Sequence, residues 1–291
     1  MYFDFSGYSE MALGLARMIG IRLPMNFNSP LKALSVVDYW SRWHMTLTRF
    51  LTAYIYNPIA MTMARRRAAA GKKGLTGTRT NWGASAEIVA VPTLVTMFLS
   101  GLWHGAGNQF LIFGVLHGVA LVVNHAWRRV RPRFWPDTAD YQRRTRPIAW
   151  MLTFAVVVVA LTWFHATSVA AGSNIVAGLI GLHGLGVPEN VAEAAAQAGG
   201  GVNGLIALYG WIAALLCIAL LAPNVLEILR PWQPVVTMPA AGATGVLETW
   251  HGMSRRLAFS LSPIWGFATA VLLVIGVLGL NKVSEFLYWQ F

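Results

Sequence analysis

Residues 88–127 read IVAVPTLVTMFLSGLWHGAGNQFLIFGVLHGVALVVNHAW, forty positions without an Asp, Glu, Lys or Arg. About 20 apolar residues suffice to cross a bilayer as a helix. A run twice that length, broken in its middle by glycines, predicts two apolar helices, over 88–104 and 109–127. Runs at 148–168, 205–222 and 263–280 extend the pattern to five candidate spans. Composition agrees: 56% of the 291 residues are hydrophobic and 11% charged, with a mean hydropathy of +0.54. Soluble domains carry roughly 25% charged residues, so a soluble enzyme, a disordered chain and a nucleic-acid-binding module are poor fits. The fold class read from this is all-α, a polytopic membrane protein of about five transmembrane helices with additional amphipathic or re-entrant helices.

The net charge of +11 is then a topology signal. Residues 57–85 hold Arg65, Arg66, Arg67, Lys72, Lys73 and Arg79 with no acid, and 128–147 hold seven arginines. The connection 169–204 has no Lys or Arg, only Glu189 and Glu193. Basic loops stay on the cytoplasmic side, and five spans put both basic connections there, together with 223–262, which carries Arg230, Arg255 and Arg256. The expected orientation has 57–85 in the cytoplasm and the C-terminal end outside it, in the bacterial inner membrane. The Ala/Gly-rich 187–204 reads as an outer loop with a short helix at 190–198, and 240–245 as a small-residue linker. Met1 to Pro24 carries Asp4, Glu10, Arg17 and Arg22 and does not read as a signal peptide.

Ahead of the first run, 36–55 reads as one amphipathic helix, with Val36, Trp40, Trp43, Leu47, Phe50, Leu51 and Tyr54 on one face and Asp38, Arg42, Met45, Arg49 and Thr52 opposite. Asp38 and Arg42 are four apart, in the order that stabilises an exposed helix face. His44 falls on the apolar side. A buried imidazole requires a hydrogen-bond partner, a ligand or a chemical task, and the residues alone leave a packing role and a functional one both open.

Two more histidines lie in apolar surroundings, where ionisable groups mark function by default. His104 sits in Ser100-Gly-Leu-Trp-His-Gly-Ala-Gly-Asn108, where glycines permit close backbone approach. An imidazole there suits general-base work, being largely neutral near pH 7; the alternative is a helix contact in which the ring bonds a carbonyl. His117 lies in Gly114-Val-Leu-His-Gly118, a small-xxx-small pattern that favours helix packing with a polar lock. His125, His165, His183 and His251 fall at span ends or in loops. No HExxH, CxxC or carboxylate cluster appears, so no metal ligand is assigned. The glycines of 71–77 lack the Gly-Lys-Ser/Thr of a P-loop, and the single cysteine, Cys217, lies inside an apolar run.

Five stretches then carry a family likeness: Tyr2-Phe-Asp-Phe-Ser-Gly-Tyr-Ser-Glu-Met-Ala12, Asn26-Phe-Asn-Ser-Pro30, Tyr39-Trp-Ser-Arg-Trp-His-Met-Thr-Leu-Thr48, Gly101-Leu-Trp-His-Gly-Ala106 with Leu116-His-Gly118, and Glu285-Phe-Leu-Tyr-Trp-Gln-Phe291. In these the chain resembles the membrane-bound O-acyltransferases, in the bacterial branch that serves alginate O-acetylation and teichoic-acid D-alanylation. The resemblance implies a single membrane domain over 1–291: a re-entrant motif region at 1–56, the histidine-bearing helices at 88–168 and C-terminal helices at 169–291. It implies an O-acyltransferase that acetylates an exported polysaccharide, with His104 as general base and His44 at the family's second active-site position. Trp103, Asn108, His117 and Trp43 are the implied substrate-binding residues. No bound cofactor is implied. An acyl thioester, acetyl-CoA or an acylated carrier protein, serves as donor substrate, and the implied partners are the lipid bilayer, a periplasmic acetyltransferase or polysaccharide-export proteins, with no nucleic acid.

The chain departs from the family pattern at Ser41-Arg42, where the family has an arginine pair, and at Ala53, where it has an aspartate. It also opens inside the first motif, which in relatives follows several transmembrane helices. The expectation from this is that Met1 is an internal methionine and the chain the histidine-bearing C-terminal portion of a longer protein. The competing readings are a non-catalytic scaffold or transporter-like fragment and an inactive remnant.

Overall fold

In a computed structural model, which describes residues 1–75, 81–184, 193, 201–237 and 257–279, the described residues form helices and irregular segments without a β-strand. Most of 187–204, the linker 240–245, His251 and the motif 285–291 lie outside the described residues. Two compact units are present, Met1–Asn28 with Pro223–Phe291, and Ser29–Ala222.

In the first unit, helix α1 (Tyr2–Met18) bonds the following loop through Asn26, whose Nδ2 donates to Ser9 Oγ at 3.1 Å. Asn28 Oδ1 accepts from Asn224 Nδ2 at 3.1 Å. The first joins two of the sequence motifs, and the second joins residues 196 apart in sequence.

The second unit holds α2 (Val36–Trp40), α3 (Met45–Leu51), α4 (Asn57–Ala69), α5 (Trp82–Ser85), α6 (Val91–His104), α7 (Asn108–Phe134), α8 (Thr138–His165), α9 (Val169–Leu179) and α10 (Gly201–Leu221). Wide π turns at Thr52–Tyr56 and Ala86–Ala90 join α3 to α4 and α5 to α6. Four of the five predicted spans are long and apolar enough to cross a membrane: Trp82–His104, Asn108–Phe134, Thr138–His165 and Asn203–Leu221. The fifth is a shorter apolar helix in the first unit, Pro263–Gly279. Large apolar side chains such as Ile206, Trp211, Ile212 and Ile218 stand exposed along α10, as lipid-facing residues do and water-facing ones in such numbers do not.

Both basic connections differ from the loops expected from sequence. The basic connection 128–147 is not an open loop: α7 runs on through Pro132 to Phe134, α8 begins at Thr138, and only the short link between them is irregular. Asp137 makes this possible, its Oδ1 capping α8 by accepting from the backbone N–H of Ala139 and Asp140. The basic connection 57–85 is likewise largely helical in its described part. Within it Arg67 is buried, donating to Glu87 Oε1 at 2.7 Å and to the Lys73 carbonyl at 3.0 Å.

The hairpin of α6 and α7 is set by glycine. A Cβ on Gly101 would lie 2.4 Å from the Phe110 carbonyl oxygen, and one on Gly114 would lie 2.4 Å from that of Met97. Backbone meets backbone at both points, and no other residue fits. Around this hairpin the loop before α2 acts as a tie. Trp150 Nε1 donates to the Leu31 carbonyl at 2.9 Å, and Lys32 Nζ donates to the Ala222 carbonyl at 2.7 Å.

Candidate functional site

The reading of 36–55 as one continuous helix is overturned at the residue that matters most. α2 stops at Trp40, and His44 takes a left-handed conformation, φ 42° and ψ 54°, before α3 starts at Met45. Left-handed geometry costs a residue with a Cβ roughly 1–2 kcal/mol and persists only where the surroundings enforce it. Three groups do so. Arg42 turns back to donate Nε–H to Asp38 Oδ1 at 2.7 Å, and Asp38 Oδ2 accepts from the Leu34 N–H at 3.1 Å. Thr48 Oγ1 lies within 3.2 Å of the Trp40 carbonyl and 3.4 Å of the Trp43 carbonyl, which the interrupted helix leaves open. Arg42 is therefore buried rather than on an exposed face; its charge is matched by Asp38, not by solvent. Trp43, also buried, stacks on Tyr39 at 5.7 Å. The strain serves to turn His44 out of the helical path. Burial pushes its imidazole down to about 4, so it is neutral near pH 7. Its Nδ1 lies 3.5 Å from Thr46 Oγ1.

His104 is the last residue of α6, and Gly105 ends the helix there. The ring sits among aromatic edges supplied by three helices: Trp103 at 4.8 Å, Phe113 at 5.9 Å and Phe164 at 4.9 Å. His44 lies within electrostatic reach of it, although 60 residues separate the two in sequence. His117 is 1% exposed. Its Nδ1 accepts the Trp40 indole N–H at 3.2 Å, its ring stacks on Tyr39 at 6.2 Å, and Phe113 meets its edge at 4.8 Å. A continuous series of rings, Trp43, Tyr39, His117, Phe113, His104 and Phe164, thus runs from the residue before His44 to His104 and beyond it.

Of the sequence-derived candidates, His44, His104, His117 and Trp43 come together. Trp103 touches His104 but is 59% exposed, and Asn108 is exposed in the first turn of α7. His125 lies within α7, His165 closes α8, and His183 follows α9. Among the described residues no three His, Cys, Asp or Glu side chains gather as metal ligands. Sequence reading missed Tyr39, Phe113 and Phe164 as walls of the site. Trp40 carried a usable signal, since a buried indole N–H requires an acceptor. Phe164 carried none.

The far end of α6 is basic. Arg67 pairs with Glu87, and Arg129 of α7 donates to Ser85. At 1.5 Å per residue His104 lies about 25 Å along the helix from Glu87.

Residues 1–72 match the family model described as MBOAT, membrane-bound O-acyltransferase family. The peptidoglycan O-acetyltransferase of Helicobacter pylori is 36% identical over 195 residues, 67% of this chain and 32% of that protein. A probable alginate O-acetylase, AlgI, of Azotobacter vinelandii is 30% identical over 305 residues, 100% of this chain and 52% of its own length. The teichoic acid D-alanyltransferase of Streptococcus thermophilus is 30% identical over 171 residues, 56% of this chain and 38% of that protein. The chain spans about half the length, or less, of these relatives.

Proposed function

The chain belongs to the membrane-bound O-acyltransferase family, and from that premise we propose that it transfers an acyl group, acetyl in the first instance, from a thioester to a hydroxyl of an exported polysaccharide, with His104 as general base. The observation that carries the reading is that His104 and His44, each at a break in its helix, lie within electrostatic reach of one another, with His104 against an aromatic wall. An imidazole at a helix end, against aromatic rings, suits proton abstraction from an alcohol.

In the proposed step His104 removes the acceptor hydroxyl proton as the oxygen attacks the thioester carbonyl. The C–S bond then breaks, and the leaving thiolate takes that proton from the imidazolium, giving an ester and a thiol. His44, neutral near pH 7, orients the reacting groups by hydrogen bonding. The related alginate O-acetylase, peptidoglycan O-acetyltransferase and teichoic acid D-alanyltransferase favour a cell-envelope polymer as acceptor. With the basic ends of α4 and α7 in the cytoplasm, His104 sits toward the opposite face of the inner membrane, where such a polymer is found. The donor, acetyl-CoA or an acylated carrier protein, then enters from the cytoplasmic side and reaches His104 through the interior of the protein, and a periplasmic acetyltransferase or export protein is the expected partner.

Replacing His104 by Ala tests this in membranes supplied with radiolabelled acetyl-CoA and alginate oligosaccharides. A positioned base contributes 10²- to 10⁴-fold, so transfer falls by at least about a hundredfold while membrane insertion, followed by protease protection, is unchanged. Transfer by the variant at the parental rate would overturn the assignment.

A further inference from the structure

On α6 the buried face preceding His104 is a ladder of hydroxyls, Thr93, Thr96 and Ser100, each less than a tenth exposed. The two threonines close on their own helix. Thr93 Oγ1 donates to the Val89 carbonyl and Thr96 Oγ1 to the Pro92 carbonyl, both at 2.7 Å. Thr153 and Thr162 of α8 do the same four residues back, the usual fate of a hydroxyl inside a helix. Ser100 does not. It is 1% exposed, and its Oγ has no hydrogen-bond partner among the described residues, although the Thr96 carbonyl lies one turn below. Buried polar groups without a partner are few in native proteins, and each calls for an explanation.

The explanation follows from helix geometry. Ser100 and His104 are four apart, which brings their Cβ atoms to about 5–6 Å on one face. Side chains on a helix lean toward its N-terminus, which directs the His104 side chain toward the turn that starts at Ser100. We propose that Ser100 is the positioning residue for His104, its Oγ accepting the Nδ1–H of the imidazole when substrate is bound. The bond selects the tautomer in which Nε2 carries the lone pair that removes the acceptor proton. Catalytic hydrogen bonds are often open in the free enzyme and tighten only in the complex, which accounts for the unmade bond here. The other titratable groups facing His104 are His44 from the turn before α3 and, across Phe113 and Phe164, His117 and His165.

This inference rests on the acyl-transfer reading, and its test separates the two. Ser100→Ala, Ser100→Thr and His104→Ala are compared in acetyl transfer from acetyl-CoA to alginate oligosaccharides, with thermal unfolding measured on the same samples. Ser100→Ala removes a partnerless hydroxyl, so its melting temperature equals or exceeds the parental one. Its kcat falls tenfold or more with KM within twofold, and the limb of the pH–rate profile that reports the base is displaced. Ser100→Thr, which keeps the hydroxyl, restores kcat. Parental kcat and pH profile in Ser100→Ala, with His104→Ala inactive, would overturn the role of Ser100 alone. Loss of kcat in step with a lowered melting temperature would make Ser100 structural and overturn it equally. Activity in His104→Ala would remove the premise of both.

Discussion

Trp40→Phe isolates the bond that locks the middle of the site. The indole N–H of Trp40 donates to His117 Nδ1 at 3.2 Å, and the two residues are 7% and 1% exposed, so water cannot replace either partner. Phenylalanine keeps most of the aromatic contact with Tyr39 and His117 but has no donor. The abandoned imidazole nitrogen then bears its desolvation unrelieved, about 1–3 kcal/mol, to which the smaller ring adds a packing loss. His117→Leu leaves the indole N–H stranded in the same way. The double variant has neither polar group, and replacing both members of a buried pair by apolar ones is close to neutral. The cycle should therefore show a coupling of about 1–2 kcal/mol, with the double variant more stable than the sum of the single losses. Unfolding in detergent micelles, followed by near-ultraviolet circular dichroism, measures it. Strict additivity within about 0.3 kcal/mol would refute the claim that this hydrogen bond joins α2 to α7.

Other perturbations probe the remaining supports. Gly101→Ala places a methyl 2.4 Å from the Phe110 carbonyl oxygen, which is backbone and cannot swing aside. The α6–α7 hairpin should separate, with a sharp fall in folded yield by size-exclusion chromatography, whereas Gly210→Ala, where a Cβ meets nothing within 4 Å, should be silent. His44 gives a pH signature. Its pKa is about 4 folded against about 6.5 in the unfolded chain, so the unfolded state takes up the proton first. Stability is complete above pH 6.5 and declines as pH falls toward 4. In His44→Asn that decline should be shallower in unfolding titrations between these limits.

The sequence exposed the helices more readily than their limits. Uncharged length alone located α6, α7, α8 and α10. It could not see that α7 and α8 project beyond the apolar runs as arginine-rich helices, because hydropathy marks where lipid ends and not where hydrogen bonding ends. The histidines were conspicuous as ionisable groups in apolar company. The geometry at His44 was not, since a 3.6-residue wheel presumes the continuity that Asp38, Arg42 and Thr48 together abolish. The aromatic walls were invisible for a related reason: Phe113 and Phe164 look like any lipid-facing phenylalanine until tertiary packing turns them inward.

The left-handed step at His44 has a mechanical consequence at a distance. From Met45 to Ala69 the chain is helical without interruption through the π turn, a rod of roughly 36 Å at 1.5 Å per residue. It is fixed in rotation at one end by the twist at His44 and at the other by Arg67 on Glu87. One residue gained or lost in an α-helix turns everything beyond it by about 100°. Residue count between these two points therefore sets the angular phase between the histidine end and the basic end, and the rod transmits rotation between them as a shaft does.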